Sequence, residues 1–233
     1  MLRTLLPTLT AVAVLWLSAC SDDGDNGGDA AEDPQAALET AAELLAETSS
    51  VRFTVEGEDL PDSGTVVVGA EGVAVPPSSF EGGVRVKAGA LSSTVDVVSI
   101  DGEIWAQLPL TDGYEKMDAT GLDFGDPGVL IDPEQGVGQL LRSGSDVAGA
   151  DQVRVDGEVY DQVESVIPGE LVDAILTLAD PDADVQATWS LDPDTGRLRQ
   201  ATLTGPFYDG GEQTYVVSLD EYDEPAEISA PTG

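Results

Sequence analysis

The feature that most constrains this chain is a series of short segments with apolar, mostly β-branched residues at every second position. Val51-x-Phe53-x-Val55, Val66-x-Val68, Val84-x-Val86, Val95-x-Val97 and Ile104-x-Ala106-x-Leu108 each put apolar side chains on one face of an extended strand. Gly, Pro and Asp-Gly separate them, and links that short join antiparallel neighbours. The C-terminal third repeats the pattern in Val185-x-Ala187-x-Trp189-x-Leu191, Leu198 to Thr204 and Gln213 to Leu219.

Helical signals interrupt the strands at three places. Asp33-Pro34 supplies an N-cap acceptor and a proline at the first helical position, and Leu38, Ala41, Ala42 and Leu45 follow as one apolar stripe. Asp126-Pro127 precedes Gly128, Val129 and Leu130. Asp132-Pro133-Glu134-Gln135 then reads as an N-cap, Pro at N1 and Gln at N3 ahead of Val137, Leu140 and Leu141. Pro168-Gly169-Glu170 opens a third helix with Leu171, Ala174, Ile175 and Leu178 on one face. The order is helix, five or so strands, helices, a hairpin, a helix and three strands. This predicts a single antiparallel α+β domain with helices packed on one face of a long, curved sheet.

Two segments echo each other: Val98-Ser-Ile-Asp101-Gly102-Glu-Ile-Trp105 and Val153-Arg-Val-Asp156-Gly157-Glu-Val-Tyr160. Two hairpins that each need an Asp-Gly turn explain this more simply than an internal duplication. Asp192-Pro193-Asp194-Thr195-Gly196 reads as another turn; its proline, its early glycine and the lack of a Glu at the twelfth position do not suit a calcium loop.

Charge and composition narrow the function. Nine Lys and Arg against 45 Asp and Glu leave a net charge of −36, with no histidine. That argues against nucleic acid, whose affinity comes from clustered cations, and against docking on anionic lipid through basic patches. Without histidine, with two lysines and with one cysteine, most acid/base, Schiff-base, zinc and Ser-His or Cys-His chemistry lacks its residues. The carboxylates fall mainly in turns, caps and the polar phase of strands. No enzyme activity, metal or cofactor is expected. The alternating face remains; it can close into a solid core or around an apolar cavity, and from the pattern alone the solid core is the default.

At the N-terminus, residues 5–17 form an apolar run too short to span a bilayer comfortably, as in a signal peptide. Leu17-Ser18-Ala19-Cys20 follows and resembles the lipobox of bacterial lipoproteins. This implies cleavage after residue 19 and acylation of Cys20, with two or three chains giving a firm anchor. Residues 20–33, six of them acidic beyond the cysteine, read as a tether of about 20 Å mean span by the scaling of flexible chains. The folded domain is expected over 34–228, with a tail at 229–233.

Taken together, the lipobox, the stretch Leu44 to Val55, the hairpin Val97 to Trp105 and above all Asp126-Pro127-Gly-Val-Leu130-Ile-Asp132-Pro133-Glu-Gln-Gly136-Val-Gly-Gln-Leu140-Leu141 resemble the LppX/LprAFG family of actinobacterial lipoproteins. The resemblance covers residues 36–228. It implies a half-barrel sheet with helices on its concave face, similar to the carriers of bacterial lipoprotein localisation, enclosing an apolar cavity for acylated lipids or glycolipids. Residues expected inward by parity, and lining that cavity by the resemblance, are Phe53, Val55, Val66, Val84, Val86, Val95, Val97 and Ile104 on the sheet. Leu130, Val137, Leu141, Leu171 and Ile175 are expected on the helical side. The resemblance further implies a monomeric, non-catalytic carrier on the extracytoplasmic face of the cell membrane, with a fraction in the cell wall or secreted. In some members a transporter of the major facilitator superfamily is a partner. The competing expectation is a structural or adhesive surface lipoprotein with a filled core.

Overall fold

A computed structural model describes residues 33–118 and 125–231. The signal segment, Cys20 and all of the tether except Asp33 lie outside the described residues.

Eleven strands form one antiparallel sheet. Helix α1 (Pro34–Glu47) comes first, capped by Asp33, whose side chain accepts from the Ala36 N–H, and it buries Leu38, Ala41, Ala42 and Leu45. Strands β1 (Val51–Glu58), β2 (Thr65–Val75), β3 (Ser79–Ala88), β4 (Leu91–Ile100), β5 (Glu103–Gln107) and β6 (Glu115–Met117) then step outward to one edge. The chain crosses over through a 3-10 segment, Pro127–Ile131, and α2 (Val137–Ser143). It returns from the opposite edge as β7 (Ser145–Val155), β8 (Glu158–Ile167), the short α3 (Gly169–Asp173), β9 (Val185–Leu191), β10 (Leu198–Gly205) and β11 (Gln213–Asp220). The sheet order is β6-β5-β4-β3-β2-β1-β11-β10-β9-β8-β7, so β1 with β11 is the one pairing distant in sequence. Because the crossover and α1 both pack on the same apolar face, the helices form a layer over the sheet.

The Asp-Gly turns behave as their chemistry requires. Asp101 and Gly102 have φ of 50° and 80°, Asp156 and Gly157 φ of 53° and 95°, and positive φ at both central residues defines a type I′ hairpin turn. The first hairpin, β4–β5, runs toward a sheet edge and the second, β7–β8, runs away from one. That fits two separate uses of one turn. Asp192 also makes a turn, its carboxylate accepting from the Asp194 and Thr195 N–H groups at 3.0 and 2.7 Å.

Two helical expectations need correction. Asp132 does not start α2: its N–H is committed to Val129 as the C-cap of the 3-10 segment, and its carboxylate accepts from Glu134 and Gln135 at 2.8 and 3.0 Å in a local turn. The helix begins only at Val137. Helix α3 stops after five residues, where the Asp173 carboxylate takes the Leu178 N–H at 2.7 Å. Val172, Ile175 and Leu178 are buried there, and Ala174 is exposed.

Candidate functional site

The helix-covered face of the sheet is continuous from strand to strand. Register places Val95, Val84, Ala70, Val55, Val217, Ala201, Trp189 and Val163 side by side in one row across β4, β3, β2, β1, β11, β10, β9 and β8. All are buried. A neighbouring row runs Ala106, Val97, Gly82, Gly72, Phe53, Leu219. Partners directly opposite each other share a face, so the sheet presents one apolar surface about eight strands wide.

The expected residues mostly lie on it. Phe53, Val55, Val84, Val95, Val97 and Ile104 are buried in the core from the sheet side, and Val86 is half-buried against it. Val137, Leu141 and Ile175 are buried from the helical side, with Leu130 and Leu171 half-buried. Val66 departs from parity. A bulge between Val67 and Gly69 pairs Val67 with Val86 and leaves Val66 opposite Lys87, on the other face, so Val67 takes the place expected of Val66.

Sequence reasoning missed the β8–β11 half of this surface: Val163, Trp189, Leu203, Tyr215, Val217 and Leu219. Period two was visible in those strands, but their place beside β1 depends on the distant β1–β11 pairing. It also missed Phe80. That ring is fully buried, 5.2 Å from the Phe53 ring and lying across Gly72 and Gly82, where an added Cβ would fall 2.4 and 2.6 Å from Phe80 ring atoms.

The two layers meet closely. One apolar gap, where Val51, Phe53 and Ala74 face Leu45, Leu130, Ile131 and Val137 beside Val217 and Leu219, amounts to about 10 Å³. Pockets that take a drug-sized ligand measure roughly 300–1,000 Å³. The lipid-sized cavity implied by the resemblance is not open at this gap, where the layers close to a slit, and the reason is side-chain size. Alanines 41, 42, 70, 74, 106, 187 and 201 let the layers approach, while Phe53 and Phe80 fill what they leave. Wider grooves of about 600 and 480 Å³ lie away from this gap, lined by Glu71, Glu81 and Asp96 in one and by Asp156, Arg199 and Asp220 in the other. Charged walls of this kind do not suit acyl chains, since desolvating them is costly.

No charged side chain is buried among the described residues, and the ion pairs lie on exposed or half-exposed groups. Arg52 pairs with Glu221, Arg85 with Glu56, Lys116 with Glu103, Arg197 with Asp223, and Arg199 with both Asp156 and Asp220. On the apolar face the indole N–H of Trp189 donates to the Ser165 hydroxyl at 2.8 Å. Burial raises the Tyr215 phenol well above its ordinary range, with the neighbouring Tyr208 adding to the shift, so it stays a neutral donor. Among the described residues no group of three or more Cys, Asp or Glu side chains is arranged to hold a metal ion, and no helix is long and apolar enough to cross a membrane.

Residues 33–228 match the family described as LppX_LprAFG lipoprotein. The lipoarabinomannan carrier protein LprG of Mycolicibacterium hassiacum is 27% identical over 96% of this chain and 94% of its own length. Crystal structures of LprF from Mycobacterium bovis (TM-score 0.68, 14% identity, 88% of this chain and all of that one) and of LppX from Mycobacterium tuberculosis (TM-score 0.60, 18% identity, 84% and 97%) share the fold.

Proposed function

We propose that this chain, which belongs to the LppX_LprAFG lipoprotein family, binds acylated lipids or glycolipids between its sheet and its helical layer and transfers them within the cell envelope without catalysis. The observation that carries this reading is the apolar surface running unbroken across eight strands beneath a layer of helices. The relative named as a lipoarabinomannan carrier supports a cargo that bears sugars.

The energetics match the task. A buried methylene is worth roughly 0.8 kcal/mol, so a 16-carbon chain leaving a membrane for water faces about 12 kcal/mol. A protein face that accepts the chain removes most of that barrier and needs no nucleophile. Loading requires the two layers to part, because the slit of about 10 Å³ admits no chain. The 3-10 segment and α2 are the parts to move: they are short, and they reach the sheet through a few side chains such as Leu130, Ile131 and Val137.

Cys20 supplies the membrane anchor in this reading, placing the domain on the extracytoplasmic face as a monomer, with the tether giving it reach. A transporter of the major facilitator superfamily is the partner class the family suggests for delivery. The carrier function is tested by moving a pyrene-labelled phospholipid between donor and acceptor vesicles. The domain accelerates transfer; a rate equal to that without protein contradicts the proposal. For the anchor, Cys20→Ala releases the protein into the medium, and retention in the membrane fraction contradicts the assignment.

A further inference from the structure

The bulge in β2 does more than reverse the parity of Val66. Pairing of β1 with β2 ends at Glu56 and Gly69, and β1 continues beside β11 to Glu58. The two strands part beyond Gly69, and the backbone of Val67 bonds to two tyrosines instead. The Val67 N–H donates to the Tyr208 hydroxyl at 2.8 Å, and the Tyr215 hydroxyl donates to the Val67 carbonyl at 2.6 Å. The tyrosine oxygens are 3.0 Å apart. Because the Tyr215 proton is committed to Val67, Tyr208 donates to Tyr215 and the ring of three bonds closes.

A pocket of about 240 Å³ opens at this seam. Its inner wall is core: Phe207, Tyr215 and Leu178. Its rim is polar, formed by Thr177, Tyr208 and Asp209. The walls are held from behind. Gln213, buried, accepts from the Tyr208 N–H at 2.8 Å and donates to the Gly211 carbonyl at 3.0 Å; Asp173 fixes the Leu178 N–H, and the Ala179 N–H donates to the Pro206 carbonyl at 2.9 Å.

We infer that this pocket is a subsite for the uncharged, hydroxyl-bearing end of an amphiphile, such as a sugar ring joined to an acyl chain. The inference rests on the carrier reading and names the chemistry of the cargo's polar end. An apolar inner wall continuous with the core meets the chain, and the rim meets the hydroxyls, which donate to Asp209 and to the remaining lone pair of the Tyr208 phenol. Among the described residues no cation lines the pocket, so a phosphate or sulfate would face Asp209 unpaired. The volume, a little below the roughly 300 Å³ floor for drug-sized ligands, fits one ring rather than a branched glycan.

The test uses octyl glucoside and its cationic counterpart octyltrimethylammonium, both below their micelle concentrations, and cis-parinaric acid as separate probes, at 0.5 M NaCl to screen the net charge. Ala179, exposed, also lines the pocket, and in Ala179→Trp the new side chain fills it. Glucoside binding falls at least tenfold, and parinaric acid binding stays within twofold. Thr177→Trp gives the same pattern if Ala179→Trp does not fold. Unchanged glucoside binding, absent glucoside binding, equal weakening of both probes, or a greater sensitivity of octyltrimethylammonium than of glucoside overturns the inference. Failure of parinaric acid to bind the unmodified protein counts instead against the carrier reading, so the two failures are told apart.

Discussion

Phe80→Ala probes what closes the slit. The ring is fully buried and lies over Gly72 and Gly82, so its removal bares glycine floor that no neighbouring side chain can fill. The hole should approach the ~100–150 Å³ of an engineered apolar cavity able to take benzene. At about 24 cal/mol per Å³ this costs about 2.4–3.6 kcal/mol, and the lost transfer free energy brings the total to about 4–5 kcal/mol. In a urea titration followed by circular dichroism, a slope of roughly 2 kcal/mol per molar places the midpoint about 2 M lower without changing the slope. Benzene should recover part of the loss, because ligand that binds only the folded state stabilises it by mass action. A loss below about 1.5 kcal/mol, or no recovery with benzene, would show that the sheet collapses onto the gap and that Phe80 is not what fills the space between the layers.

Other expectations are independent of cargo. Hydrogen bonds from the Ser49 N–H, the Thr48 hydroxyl and Arg197 lower the Asp223 carboxyl from an ordinary 3.8 to about 2, so its stabilising contribution is present above about pH 4 and is lost as pH falls through about 2. The stability gap between the protein and Asp223→Asn therefore shrinks between pH 5 and pH 2; a gap constant over that range contradicts the assignment. Ser165→Ala strands the buried Trp189 N–H and costs about 1–3 kcal/mol in chemical denaturation, whereas a neutral result would mean the indole finds another acceptor. With 45 acidic residues against nine basic ones, screening of self-repulsion outweighs the weakening of exposed ion pairs worth roughly 0–1 kcal/mol each. Tm should rise from 0.05 to 1 M NaCl, and a fall would mean the outer-face pairs dominate.

Period two in β1, β3, β4 and β5, the α1 stripe with its Asp33 cap and the type I′ turns were legible because each is decided within a few residues. What was not legible depended on distant partners or on backbone irregularity. Val66 and Val68 carry the right side chains for an inward face, yet one bulged residue hands that role to Val67. Asp132 shows helix-start chemistry and caps a single turn, because Gly136 leaves the helical region at ψ −162° and the helix starts afresh at Val137. Phe80 sits in Ser79-Phe80-Glu81-Gly82-Gly83, where no alternation announces a strand, and its value comes from glycines ten residues apart that pair only in the sheet. The half of the surface on β8–β11 needed the β1–β11 pairing to be seen as part of the same site. Sequence resemblance implied a lipid-sized cavity; the alanine-rich interface explains why the layers instead meet closely.

The central claim is that the space between sheet and helices opens to hold a lipid. Native mass spectrometry of the domain purified from its own host, followed by organic extraction and identification of what is released, tests it most directly. The account predicts a non-covalent adduct of one acylated lipid per chain, lost on extraction and restored by adding the lipid back. Domain that is repeatedly free of lipid and takes up no fluorescent fatty-acyl probe would contradict it and leave a surface lipoprotein with a filled core.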